Sequence, residues 1–146
     1  MQAKDLTKEA PRSAYDTSLG GFAILARAVD KGRATINGTN GDFNFDCPVD
    51  NSFLSFVGIE GSALKGALAE GKTDEEIVVW VNENSTIKHT DEEKKAWADH
   101  FHNDFSYSTD PQKSGWFNGE CTRLGLDPMK TTLFDMLDAD DKTIGK

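Results

Sequence analysis

The sequence predicts an all-α fold: a compact single-domain bundle of about six or seven short helices, with an extended crossing near residues 42–49. Apolar residues recur at the three- and four-residue spacing of helices through most of the chain. Two segments begin with the same Thr-Asp-Glu-Glu helix start, and glycines follow several apolar stretches as stop signals. A chain of 146 residues with nine Phe and three Trp can bury an ordinary core as one domain.

Composition along the chain suggests three parts. Residues 1–18 form a polar N-terminal arm that contains Pro11, residues 19–138 form the helical domain, and residues 139–146 form a polar C-terminal tail. We expect the arm to be extended and to pack at its C-terminal end.

The first helical pattern begins at Leu19 and is expected to stop at Gly38. Residues 33–36 could instead form a short strand, because residues 43–47 alternate apolar and polar side chains and could pair with them as a hairpin. We favour the helix and treat residues 43–47 as extended chain laid over the core.

The crossing should be anchored by three aromatic residues and bent by a proline. Pro48 holds Cys47 in an extended conformation. Asp50 is expected to cap the next helix, which Gly58 ends. The anchoring side chains are Phe43, Phe45 and Phe53.

The later helices have clear start and stop signals. Capping boxes are predicted at Thr73 with Glu76 and at Thr90 with Glu93. Asp110 is expected to cap the following helix. Gly71 and Gly125 are expected stops. The side chains expected to face the core are Leu64, Leu68, Ile77, Trp80, Val81, Trp97, Phe101, Phe105, Leu133, Phe134 and Leu137.

The charge balance argues against nucleic acid and membranes as partners. The chain has 25 acidic and 16 basic residues, a net charge of −9, whereas both partners require clustered Lys and Arg. Cys47 and Cys121 are too far apart to form a disulfide framework or a zinc motif. The first residues contain no apolar run typical of a secretory signal, so we expect a cytoplasmic protein.

The histidines do not form a metal-binding motif. His100 and His102 are two positions apart, so on a helix they point in nearly opposite directions. His100 is expected at the edge of the interior and His102 in solvent. We therefore predict no metal and no cofactor, although a metal protein using one of these histidines is a third hypothesis.

The most informative polar residues are Arg27, Asp30, Lys31 and Arg33. Their three- and four-residue spacing places them close together on one helix. One interpretation is a solvated, ion-paired helix face. The other is a seat for an anion or carboxylate, with Arg27 or Arg33 making bidentate contacts.

Cys47 and Asp50 complete the set of candidate ligand-binding residues. The neighbouring acids Asp46 and Asp50 disfavour a thiolate, so a small half-buried residue is expected at Cys47 rather than a nucleophile. No catalytic residue is assigned.

Two function classes follow. The first is a binding module for a small molecule, an anionic one included, or for a protein partner. The alternative is a metal-independent small-molecule enzyme that uses acid–base groups around the Arg27/Asp30 helix and the Cys47/Asp50 segment. Convergence of these groups in one cleft would favour the enzyme.

Four segments taken together resemble a known family. They read "DLTKEAPRS", "LGGFAILARAVDKGRA", "NGDFNFDCPVDNSFLSFVGI" and "TDEEIVVWV", and they are densest between Asp5 and Val81. In this order they resemble the small bacterial proteins of domain-of-unknown-function family 5069. The resemblance implies that the first helix and the "DCPVD" segment belong to a shared framework, and it implies no activity. Ala26 stands where the family has a proline, so an uninterrupted helix through Arg27 is expected.

Overall fold

The computed structural model describes residues 3–144, and within that range every regular element is a helix. The all-α prediction is confirmed. The helices are α1 (Leu25–Asn37), α2 (Pro48–Val57), α3 (Gly61–Ala69), α4 (Asp74–Asn84), α5 (Asp91–His102), α6 (Ser114–Leu124) and α7 (Leu133–Asp141), with short 3-10 helices at Ser106–Ser108 and Pro128–Lys130.

Helix α1 begins at Leu25, six residues later than the apolar pattern beginning at Leu19 indicates. Ile24 has φ 72° and ψ −37°, and the Leu25 amide donates to the Ala23 carbonyl at 2.8 Å. This is a γ-turn with positive φ, which is rare and strained for a β-branched residue. Gly20 also has positive φ, at 67°. The backbone therefore turns twice before the helix can start.

Helix α1 is the centre of the molecule, and residues 25–34 are all buried. Its four charged side chains are only 3% to 7% exposed, so the interpretation of a solvated, ion-paired helix face is wrong about solvation and correct about ion pairing. They are buried in ion pairs instead. The same helix includes residues 33–36, which confirms the helix over the hairpin strand.

Small residues let other elements approach α1 closely. A Cβ atom added at Gly32 would lie 2.5 Å from Leu68 Cδ1 and 3.1 Å from the Phe45 ring. Ala26 keeps the helix continuous through Arg27, as its place in the sequence predicts. Gly38 ends α1 in the left-handed conformation, also as expected.

The crossing is non-helical through Cys47, and α2 already begins at Pro48. The predicted range of 42–49 is therefore two residues too long. Cys47 is the N-cap residue, and Asp50, the expected cap, lies in the first turn of α2 and is fully buried. Pro48 fits the first helical position because it has no amide hydrogen to leave unpaired.

The middle helices follow their start signals. Both predicted capping boxes form, at Thr73 with Glu76 and at Thr90 with Glu93. Helix α5 ends at His102, before Phe105. The Phe105 side chain was expected to face the core, but it is 42% exposed.

The last two helices differ from the prediction at their ends. Helix α6 starts at Ser114, and the Asp110 side chain accepts from the Gln112 amide in a turn before it, so Asp110 is not its cap. Helix α7 extends to Asp141 and so includes residues 139–141, which the sequence pattern placed in the polar tail.

The core consists of a large cluster around α1 and a small one between α6 and α7. Phe53, Leu64 and Ile77 are buried in the large cluster, and Phe117, Cys121 and Met136 form the small one. Across residues 3–144, none of the helices has the length and apolar character needed to cross a bilayer.

Candidate functional site

A cavity of about 770 Å³ lies between two halves of the fold. One side is formed by α1, the crossing and the start of α2. The other side is formed by the end of α5, the first 3-10 helix, α6 and α7. The two sides come from distant parts of the chain, so the cavity exists only in the folded molecule.

Helix α1 contributes Arg27 and Lys31 to the cavity. They are four residues apart, which places both side chains on the same face of the helix. Both are almost fully buried, at 4% and 3% exposure. With Cys47 they form what we call the polar end of the cavity.

The Arg27 guanidinium is held by the last turn of α7. Nη1 donates to Asp141 Oδ2 at 2.7 Å and to the Arg12 carbonyl at 3.3 Å, while Nη2 donates to Asp141 Oδ1 at 3.2 Å. The Phe43 ring lies 5.6 Å from the guanidinium carbon.

The Lys31 ammonium lies among three groups from the crossing and α2. Nζ donates to the Asn44 carbonyl at 3.0 Å and to Cys47 Sγ at 3.1 Å, and it lies 3.0 Å from Asp50 Oδ1. The Asp50 contact is an ion pair without hydrogen-bond alignment. The other Asp50 oxygen accepts from the Asp46 amide at 2.9 Å, which fixes the carboxylate.

Aromatic and aliphatic side chains form the rest of the cavity wall. Phe101, Leu133, Phe134 and Leu137 pack together on the side of α5 and α7. Trp116 of α6 also lines the cavity and is 55% exposed. Charged residues also line it, namely Asp42, Asp104, Lys113 and Asp140.

Asp30 and Arg33, two of the predicted site residues, do not reach the cavity. The Asp30 carboxylate accepts from the Arg12 backbone amide at 2.8 Å and forms an ion pair with the Arg12 guanidinium at 3.0 Å. Arg33 Nη1 pairs with Asp74 at 2.7 Å, and Arg12 also reaches Asp74 at 3.0 Å. This network joins the N-terminal arm, α1 and α4.

The network changes the ionisation of Asp74. Burial disfavours its charged form, but hydrogen bonds from Arg12 and Arg33 outweigh burial and lower the pKa of Asp74 below its ordinary value. Burial opposes the charge on Arg12, but its hydrogen bonds to the two carboxylates together outweigh burial and raise the pKa of Arg12. These groups stabilise one another as charges, and the residues lining the cavity do not include them.

The three histidines have different environments. His100 is an exposed side chain, 65% accessible, so its expected place at the edge of the interior is wrong. His102 stacks on Tyr15 at 4.1 Å between ring centroids, and His89 packs flat against Phe56. In the described part of the chain, no three His, Cys, Asp or Glu side chains converge as a metal site would require.

The structure thus brings Arg27, Lys31 and Cys47 together in the cavity wall. Asp50 does not line the cavity but contacts Lys31. Asp30 and Arg33 lie outside the cavity. Sequence reasoning missed the apolar wall and Asp141. Phe101, Phe134 and Leu137 were recognised as core residues, but no local pattern indicates that they border empty space. Asp141 gave no signal because it is one of three acids within four residues, and nothing local distinguishes it from the other two.

Comparisons with known proteins assign the chain to a family. No curated protein matches it significantly. One family model matches residues 8–143, which is nearly the whole chain, and its description is a domain of unknown function, DUF5069. The chain therefore belongs to the DUF5069 family.

Proposed function

We propose that this protein binds a small molecule with an apolar body and one anionic head in the cavity. The observation that carries the proposal is the cavity itself, which combines an aromatic wall with two buried cationic side chains. Its volume of about 770 Å³ falls within the range of about 300–1,000 Å³ typical of small-molecule sites.

The polar end favours a single negative charge. Arg27 and Lys31 are removed from water, so an anion placed beside them interacts strongly. Asp141 and Asp50 already neutralise much of their charge. Three further acids line the cavity against only one additional lysine, Lys113. A polyphosphate or nucleic acid would be repelled, which agrees with the net charge of −9.

The alternative class, a metal-independent small-molecule enzyme, is supported by one specific observation. The Cys47 sulfur and the Lys31 ammonium are 3.1 Å apart inside this cavity. A nucleophile and a proton-transferring group at hydrogen-bond distance are the usual elements of covalent catalysis. Both a binding module and an enzyme require that the small molecule binds in the cavity, so the first experiment measures binding.

A fluorescent probe with the proposed chemistry tests binding. 1-Anilinonaphthalene-8-sulfonate has an aromatic body and one sulfonate, and it becomes fluorescent in apolar surroundings. We expect one probe to bind per chain and 3-phenylpropanoate to displace it at lower concentration than the neutral analogue 3-phenylpropanol. Equal displacement by the two analogues would contradict the anionic head, and absence of saturable binding would contradict the function.

A pair of variants localises the probe. Ser52 is exposed and lines the cavity, whereas Ser55 is exposed on the same helix and does not line it. Ser52→Trp should weaken probe binding by roughly tenfold or more, the equivalent of about 1.4 kcal/mol. Ser55→Trp adds the same ring to α2 away from the cavity and should leave the affinity unchanged. Equal affinities in both variants would place the probe elsewhere.

A further inference from the structure

We propose that Cys47 is a nucleophile that adds reversibly to the carbonyl carbon of a ligand held in the cavity, giving a hemithioacetal. The Lys31 ammonium donates to the sulfur and stabilises the negative charge that develops on the carbonyl oxygen. Asp50 holds Lys31 in position. This inference rests on the proposed binding function and adds a chemical class of ligand, an aldehyde with an apolar body.

The first support is the arrangement of Cys47, Lys31 and Asp50. Lys31 Nζ lies 3.1 Å from Cys47 Sγ and 3.0 Å from Asp50 Oδ1, so the ammonium links the thiol to a fully buried carboxylate. A nucleophile beside a proton-transferring group that a third group orients is the arrangement found at covalent sites. The positive charge also stabilises negative charge on sulfur.

The second support comes from the start of α2. Cys47 is its N-cap residue, and its side chain does not cap the helix. Pro48 has no amide hydrogen, and the amides of Val49 and Asp50 belong to the first turn, which has no acceptor within the helix. The start of this helix is therefore adjacent in sequence to Cys47, and the positive end of a helix dipole favours negative charge near it.

The third support is access. Cys47 is partly exposed and lines the cavity, so its sulfur can meet a ligand. Cys121, by contrast, is fully buried in the small cluster between α6 and α7. Burial and then the Glu120 and Asp127 carboxylates raise the pKa of the Cys121 thiol. Cys121 is therefore an internal comparison for an unreactive thiol in the same molecule.

The proposed addition balances without any further reactant. The sulfur electron pair forms a bond to the carbonyl carbon, and the carbon–oxygen π pair moves to the oxygen. The thiol proton passes to that oxygen by way of Lys31. No group leaves and nothing is oxidised, so the reverse reaction regenerates the aldehyde and the thiol.

Alkylation of the unmodified protein tests the nucleophile without a variant. Iodoacetamide is applied to the native chain and to the chain in urea, with glutathione in each sample as a reference thiol, and each cysteine is followed by peptide mass spectrometry. Relative to glutathione, Cys47 should react faster in the native chain than in urea, and Cys121 should react only in urea. A native Cys47 that is slower than the same residue in urea would overturn the proposal.

The role of Lys31 is tested with two substitutions. Lys31→Met removes the ammonium and should slow native alkylation of Cys47 by roughly tenfold or more, as expected for loss of one charge-assisted hydrogen bond. Lys31→Arg restores a positive charge and should recover part of the rate. Circular dichroism identifies a variant that fails to fold. In that case the alkylation of wild-type Cys47, native against urea, decides whether the residue is a nucleophile. Equal rates in folded Lys31→Met and wild-type protein would remove Lys31 from the mechanism.

The adduct is detected with 3-phenylpropanal labelled with ¹³C at its carbonyl carbon. We expect its signal to move from the carbonyl region to the hemithioacetal region on addition of wild-type protein or of Cys121→Ala, and not on addition of Cys47→Ala. If wild-type protein binds 3-phenylpropanoate but gives no adduct with the aldehyde, the inference fails and the binding function stands. If it binds neither 3-phenylpropanoate nor the aldehyde, both fail.

Discussion

At the scale of single residues, the chemistry around Cys47 is decided by a side chain that is remote in sequence. The nearest neighbours along the chain, Asp46 and Asp50, indicate an environment unfavourable to a thiolate. The fold places Lys31 of α1 between Cys47 and Asp50, at 3.1 Å and 3.0 Å. The buried Lys31 ammonium therefore offsets the negative charge of the acids that neighbour Cys47 in the sequence.

Asp50 should contribute more to stability than a helix cap does. It is fully buried and paired with Lys31. Asp50→Ala leaves a buried ammonium without its carboxylate, so we expect a loss of ~3–5 kcal/mol in the free energy of unfolding. A lost cap costs only ~0.5–2 kcal/mol. Urea unfolding followed by circular dichroism distinguishes the two ranges.

Removing both charges provides the control for this prediction. Lys31→Met with Asp50→Leu replaces the ion pair by apolar side chains, and such replacements are often neutral or stabilising. The double variant should therefore be more stable than Asp50→Ala alone. A loss confined to the cap range in Asp50→Ala would show that the ion pair contributes little.

At the scale of elements, start and stop signals predict helices well and loops poorly. The capping boxes of α4 and α5 and the glycine stops of α1 and α6 act within one turn, so they can be recognised locally. The late start of α1 could not be predicted, because tertiary packing holds Ile24 in a positive-φ conformation that its side chain disfavours.

The apolar pattern similarly could not separate cavity from core. Phe101 and Leu137 follow the helical spacing whether the space beside them is filled or empty. Arg27 and Lys31 were recognised as candidate ligand residues because helical spacing groups them with two other charges, and the net positive balance of this group is unusual in an acidic chain. The sequence therefore indicated the polar end of the cavity, and only the fold revealed its wall.

The packing of α1 against α3 and the crossing should be sensitive to one added methyl group. Gly32→Ala brings a Cβ to 2.5 Å from Leu68 and 3.1 Å from Phe45, whereas Gly66 in α3 has no atom within 4 Å of the same added atom. Gly66→Ala should stabilise the protein by roughly 0.5–1 kcal/mol. Gly32→Ala should be less favourable than Gly66→Ala by roughly 1–3 kcal/mol because of overpacking.

Thermal or urea unfolding of these two variants measures the difference directly. Both substitutions reduce the backbone entropy of the unfolded chain by the same amount. The difference between their free energies of unfolding therefore reports packing alone. Equal effects would mean that Leu68 and Phe45 move aside without cost and that the close approach at Gly32 is not needed.

At the scale of the whole molecule, a charge network ties the N-terminal arm to the helical domain. Arg12 in the arm binds Asp30 of α1 and Asp74 of α4, and Arg33 binds Asp74 from the other side. The arm buries Leu6 and Ala14 as well. The part of the arm from residue 3 onward thus belongs to the folded unit and contributes to its stability.

This network makes stability depend on pH through Asp74. Burial opposes its ionisation, but Arg12 and Arg33 lower the pKa of Asp74 below 3.8 in the folded state. The unfolded chain therefore binds a proton at higher pH than the folded chain does. By linkage, the stabilisation is complete above the unfolded pKa and is lost as pH falls through the folded pKa.

We therefore expect Asp74→Asn to be less stable than the wild-type protein at neutral pH, and the difference to shrink as pH falls from about 5 toward 2. Glu75→Gln is the matched control, because Glu75 is exposed in the same first turn of α4 and carries the same charge. Its stability should follow that of the wild-type protein at each pH. Urea unfolding at a series of pH values measures all three proteins. A difference between Asp74→Asn and wild type that stays constant with pH would mean that Asp74 acts through packing, and that the guanidinium groups do not hold its charge.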